Sequence, residues 1–121
     1  MQKIYNRETG CLGEDIAKRY LQKRGYRIIE QNYRTRYSEI DLIAYDHKTL
    51  VFVEVRTKNS EEFGTPEDSL TRRKIRRLSR GALIYLAREG GSEKYRIDAV
   101  CIVLAENNRP QRISHYKNIT F

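Results

Sequence analysis

The sequence predicts one mixed α/β layered domain over residues 1–121, a mixed β-sheet flanked by helices in the order α-β-β-β-α-β-β. Three observations carry this. Residues 38–58 read as a β-hairpin, two segments show helical apolar stripes, and residues 95–104 form a nearly continuous apolar run. A chain of 121 residues suffices for one real core.

The first helix is predicted from Gly10 to Arg24, with Gly25 as the residue that ends it. Leu12, Ile16, Ala17, Tyr20 and Leu21 make its apolar stripe. Glu14 falls on that stripe rather than on the polar face. Acids are seldom buried without a partner; the alternative is that Glu14 only favours the helix dipole. Tyr26 to Tyr33 reads as the first strand, and Arg34-Thr35-Arg36-Tyr37 as a basic, aromatic connection.

The hairpin follows, folded about Asp46–Thr49. Its register sets Tyr45 against Leu50, Ile43 against Phe52, Asp41 against Glu54 and Glu39 against Arg56. Because side chains alternate faces, Ile40, Leu42, Ala44, Val51, Val53 and Val55 make an apolar core face. The other face is apolar near the turn (Ile43, Tyr45, Leu50, Phe52) and collects Glu39, Asp41, Glu54, Arg56 and Lys58 at its far end. Directly opposed acids lie about 4.5–5.5 Å apart at Cβ and repel. Asp41 and Glu54 therefore need a proton or a cation between them. Hard divalent ions such as Mg²⁺ take carboxylate oxygens, waters and phosphates. The alternative is a solvated strand end whose charge Arg56 and Lys58 neutralise.

Residues 59–66 form a loop with breakers at Gly64 and Pro66, placed to move over the acids. A second helix is predicted from Pro66 or Glu67 to Arg88, capped by Thr65 and stopped by Gly90-Gly91. Leu70, Ile75, Leu78, Ala82, Tyr85 and Leu86 mark its buried side. Arg72, Arg73, Lys74, Arg76, Arg77 and Arg80 give a cationic ridge without paired acids, suited to phosphates. Tyr95–Leu104 reads as a central strand in which Asp98 either joins the site or, the preferred reading, pairs with a neighbouring arginine. Residues 112–119 read as an edge strand.

Net charge is +8 and the pI near 9.7, which makes nucleic acid or an anionic surface a candidate partner, the alternative being charge that only serves solubility. No apolar run of about 18 residues spans a membrane, and the N-terminus carries no apolar signal region. Cys11 and Cys101 lack metal-ligand spacing, so reduced thiols and a cytoplasmic location are expected.

Taken together, Glu14, Asp41, Glu54-Val55-Arg56 and the basic second helix resemble the PD-(D/E)xK nuclease superfamily. Gly13-Glu14-Asp15-Ile16-Ala17, Leu21…Gly25-Tyr26, Glu39–Ala44 and Phe52–Lys58 look more closely like the YraN-like bacterial family. That family is regarded as endonuclease-like and is similar in fold to archaeal Holliday-junction resolvases. The resemblance implies a restriction-endonuclease-like fold and a Mg²⁺- or Mn²⁺-dependent DNA endonuclease acting on branched or recombination intermediates. It implies Asp41, Glu54 and Glu14 as metal-site acids, the Val55 carbonyl as a further ligand and Glu39 as an auxiliary one. Arg56 and Lys58 would serve the phosphate or the water, and Arg34 and Arg36 would join the ridge in holding DNA. By analogy with junction resolvases a homodimer is expected. Two positions depart from the pattern. Arg56 stands where the motif has lysine and cannot act as a base; Lys58, about 6–7 Å further along the strand, is the alternative. Ser38 stands where the family usually has glycine. The rival expectation is a DNA-binding module that kept the fold without the chemistry; a third is an interaction protein whose acids dock a basic partner.

Overall fold

The computed structural model describes residues 2–120. Its elements are α1 (Gln2–Lys23), β1 (Arg27–Arg34), β2 (Glu39–Asp46), β3 (Thr49–Lys58), a 3₁₀ turn (Pro66–Ser69), α2 (Arg72–Glu89), β4 (Tyr95–Leu104) and β5 (Pro110–Tyr116). The five strands form one mixed sheet in the order β1-β2-β3-β4-β5. Only β3 and β4 run parallel, joined by the crossover that contains α2. β4 is an interior strand, though β3 is the middle one, and the last strand lies at an edge as read, but over Pro110–Tyr116 rather than 112–119.

Both faces of the sheet are buried, each under one helix. Ala17 and Leu21 of α1 pack with Leu42, Ala44, Val51, Val53, Val55, Val100 and Ile102. Leu78, Ala82 and Tyr85 of α2 pack with Ile40, Ile43, Leu50, Phe52 and Ile97. The near-turn residues of the second face therefore lie in a core of their own. Ile40 is a correction: it belongs to the α2 face, not with Leu42 and Ala44. The β2–β3 pairing matches the predicted register from Asp46–Thr49 to Leu42–Val53. At Asp41 that pairing stops and the chain changes face.

Two helix boundaries also differ. α1 begins at Gln2 rather than Gly10. The predicted continuous second helix is broken at Leu70-Thr71. Thr65 and Asp68 form a capping box around the 3₁₀ turn, with Pro66 in its first turn as expected. Thr71 then caps α2 by accepting from the Lys74 amide at 3.2 Å. Two caps six residues apart start two helices, and this rotates the first turn of α2 toward the strand ends.

α1 lies very close to β3. A Cβ on Gly13 would sit 1.8 Å from Thr57 Oγ1, so only glycine permits this approach. The Thr57 hydroxyl is buried there without a hydrogen-bond partner among the described residues. The close crossing sets the position of Glu14, the next residue along the helix.

Candidate functional site

Where β2 and β3 part, their ends, α1 and the start of α2 enclose a cleft of about 980 Å³. Glu14, Glu39, Asp41, Glu54, Arg56, Lys58, Arg73, Lys74 and Arg77 all line it. The acids, the motif arginine and part of the basic helix thus converge, although they come from four elements.

Asp41 and Glu54 form the floor. The Val55 amide, beyond the last β2–β3 pair, donates to Asp41 Oδ2 at 2.8 Å. Glu54 is only 3 % exposed. Burial, and next the charge of Glu54, push the Asp41 carboxyl up to about 9. The pair therefore carries a proton at neutral pH, one of the two solutions the strand register demanded. Glu14 is half-buried; burial raises its carboxyl, Glu39 and Glu54 add to the rise, and a hydrogen bond from Asn32 works against it.

Asn32 is a residue the sequence reading missed. Its side-chain amide donates to Glu14 Oε1 at 2.8 Å and to Glu39 Oε1 at 2.9 Å, tying α1 to β2. Its backbone is left-handed (φ 52°), a conformation asparagine tolerates. That preference was the available signal. Glu39 also pairs with Arg34 at 3.2 Å, across from it on β1, and not with Arg56 as the hairpin register suggested.

Arg56 instead donates from Nε to Ser69 Oγ at 2.7 Å, while Nη1 reaches Glu54 Oε2 at 3.4 Å. The Ser69 hydroxyl in turn donates to the Pro66 carbonyl at 2.8 Å. The motif-position cation is thereby fastened to the 3₁₀ turn. Lys58 reaches the cleft wall further along β3.

The cationic ridge divides in two. Arg73, Lys74 and Arg77 face the cleft, whereas Arg72, Arg76 and Arg80 line a separate shallow groove with Ile75, Ser79 and Thr120. The ridge is also not free of acids, which corrects the sequence reading: Lys74 Nζ lies 3.1 Å from Glu54 Oε2. Arg80 lies over the Tyr37 ring at 5.4 Å from its centroid. Arg36 is exposed in the β1–β2 connection, and Ser38 Oγ donates to the Arg77 carbonyl at 3.2 Å. The space at Gly81 admits this contact, since a Cβ there would stand 2.7 Å from that hydroxyl.

For a divalent ion, the fit rests on the oxygen-only pair Asp41–Glu54. A buried carboxyl pair that must hold a proton can release it to an ion, and Mg²⁺ commonly binds through one or two carboxylates with waters and phosphates. Among the described residues no group of three or more acidic, histidine or cysteine side chains is gathered closely enough to hold an ion. Glu14, the third acid, is held by Asn32.

The fold and cleft define an α/β protein with an acid pair, Glu54 buried and Asp41 half-buried, inside a basic rim. The chain belongs to the family described as Uncharacterised protein family UPF0102, the YraN-like family, whose model matches residues 13–102. It is 41% identical over 115 residues to a UPF0102 protein of Geobacter sulfurreducens, covering 94% of this chain and 89% of that one. It is 45% identical over 110 residues to one of Persephonella marina, covering 90% of each. A UPF0102 protein of Syntrophomonas wolfei is 49% identical over 81 residues, covering 67% of this chain and 70% of the relative. No helix among the described residues is long and apolar enough to cross a membrane.

Proposed function

We propose that this protein is a Mg²⁺- or Mn²⁺-dependent DNA endonuclease on a PD-(D/E)xK fold, acting on branched or recombination intermediates. The observation that carries the reading is the Asp41–Glu54 pair, Glu54 buried and Asp41 half-buried, on the floor of a cleft rimmed by Arg73, Lys74 and Arg77. Asp41 and Glu54 would hold the ion, joined by the Val55 carbonyl and by Glu14, which keeps its hydrogen bond from Asn32. When bound, a divalent ion supplies Lewis-acid charge at the phosphate and a more acidic water.

The chain's own residues do the rest. Arg73 and Arg77 hold the DNA backbone through its phosphates. Arg56, fixed by Ser69, presents its remaining guanidinium N–H groups to the phosphate or water. In the hydrolysis, a water oxygen bonds to phosphorus and the ester bond breaks with its electron pair on the leaving oxygen. That oxygen takes up a proton while the attacking water loses one. The products are a phosphate monoester and a free hydroxyl. Glu39, bonded to Asn32, positions Glu14.

The free thiols Cys11 and Cys101 suit a reducing cytoplasm; burial pushes Cys101 up to about 12. Two symmetric cuts in a junction imply a homodimer; light scattering of a monodisperse monomer at high concentration would count against it. A second reading, a DNA-binding module without chemistry, is favoured by Arg56 in the motif's lysine position and by its tether to Ser69.

The deciding experiment offers labelled duplex, single-stranded, flap and four-way-junction DNA to wild type and Glu54→Gln, purified side by side, in Mg²⁺, Mn²⁺ or chelator. Metal-dependent cutting that disappears in the variant is expected. Binding without cutting by either protein moves the assignment to the second reading.

A further inference from the structure

The cleft holds three candidates for the cation that faces the reacting phosphate: Arg56, Lys58 and Lys74. Their surroundings separate them. Arg56 is committed to Ser69 at 2.7 Å, and its approach to Glu54 is long, at 3.4 Å. Lys58 lies two residues further along β3, toward the Asn59 end of the cleft. Lys74 comes from the opposite wall, and its ammonium reaches the buried Glu54 carboxylate at 3.1 Å. Its side chain is 37% exposed while Glu54 is 3% exposed, so the charge spans from solvent to the floor.

The local structure explains how α2 delivers it. The Thr71 cap starts the helix so that Lys74 falls in its first turn, and the Lys74 amide is the group that Thr71 binds. Ile75 and Leu78 bury the adjoining stripe and fix the helix's rotation. A lysine there has a fixed root and a flexible four-carbon stem. It can exchange one oxygen for another without moving the backbone.

We infer that Lys74 is a catalytic residue of the cleft, the ammonium that pairs with Glu54 in the metal-free protein and moves to a non-bridging oxygen of the scissile phosphate when an ion occupies the carboxylates. This rests on the nuclease reading above. The role is electrostatic: the ammonium meets negative charge that grows as the water oxygen bonds to phosphorus. Lys74 thus differs in kind from Arg73 and Arg77, whose work is to hold the backbone.

The test is single-turnover cleavage at saturating DNA by wild type, Lys74→Ala, Lys74→Met and Lys74→Arg, with Mn²⁺ binding measured by calorimetry on the same proteins without DNA. Lys74→Ala and Lys74→Met are expected to slow the saturated rate about 100- to 1,000-fold. Lys74→Arg should recover part of it. Mn²⁺ should bind both neutral variants as tightly as wild type or more tightly, because a competing cation has left Glu54. Cutting by the neutral variants within about threefold of wild type at saturation would overturn the inference and leave the nuclease reading standing. So would a defect seen only as a higher DNA concentration for half-saturation, or loss of Mn²⁺ binding in both. If wild type itself cuts no DNA in either metal, the nuclease reading falls and the inference falls with it.

Discussion

Two acids of the sheet, Asp98 on β4 and the half-buried Asp41 on β2, are held in opposite ways. Asp98, on β4, is wholly buried. It accepts from Arg96 Nε at 3.0 Å and the Asn118 amide at 3.0 Å, and His115 Nε2 lies 2.8 Å away. Arg96 also reaches Asp46 at 3.0 Å and the Tyr26 hydroxyl at 2.7 Å. Burial alone would raise Asp98, but His115, the Asn118 amide and Arg96 outweigh it and hold the carboxyl low. Asp41 has one backbone donor and an acidic neighbour, and it is driven up to about 9. An acid whose partners are complete belongs to the scaffold. One whose partners are missing is a candidate ligand site.

The comparison can be broken most forcefully at Asp98. Asp98→Ala leaves the half-buried Arg96 with two of its three partners and takes the carboxylate from His115 and the Asn118 amide, and should cost about 3–5 kcal/mol, read by denaturant unfolding. A cost below about 1 kcal/mol would show that the network does not hold the sheet.

Gly13→Ala tests whether the helix that carries Glu14 is set by the contact at Thr57. Overpacking should cost about 2 kcal/mol. The penalty should shrink in a Thr57→Ala background, where the hydroxyl facing the new Cβ is gone. Equal penalties in both backgrounds would place the strain elsewhere.

Asn32→Gly keeps the left-handed backbone but removes the amide that joins Glu14 to Glu39. Mn²⁺ affinity should fall about tenfold, the low end of what outer-shell partners contribute. Unchanged affinity by calorimetry would make Asn32 a fold residue only.

Asp41→Asn is the smallest expected change and the most pointed in sign. A carboxyl raised in the folded state keeps its proton while the unfolded chain loses it, so metal-free stability falls as pH rises from about 4 toward 9. Asparagine removes that loss. The metal-free variant should therefore be more stable than wild type by about 1 kcal/mol or more at pH 8, with no gain near pH 4. Asp98 has the opposite sign: its contribution is present at neutral pH and fades in acid.

Much of this was legible in the sequence because hairpin register is a local property. The Tyr45–Leu50 and Ile43–Phe52 pairs follow from alternation; the Asp41–Glu54 ladder pair expected beyond them does not form, since the pairing ends at Leu42–Val53, although the two carboxyls still interact. Alternation fails at Asp41, so the move of Ile40 to the α2 face could not be read from it. The break before α2 had a signal in Thr71, but Thr65-Pro66 offered a stronger start and masked it. Asn32 and Lys74 were illegible as partners of acids, since both contacts join elements distant in sequence and depend on how each helix is rotated. Nothing in the spacing of Lys74 separates it from Arg73 or Arg77.

The central claim is that the incomplete acid pair takes a divalent ion, and calorimetric titration of wild type and Glu54→Gln with Mn²⁺ tests it most directly. Wild type should bind saturably at pH 8 and release a proton, because Asp41 must give one up. Its affinity should weaken by up to about tenfold for each unit that pH falls below about 9. Glu54→Gln should lose the binding. Equal binding by both proteins, or none by wild type at millimolar Mn²⁺, would contradict the account and leave the pair a protonated element of the fold.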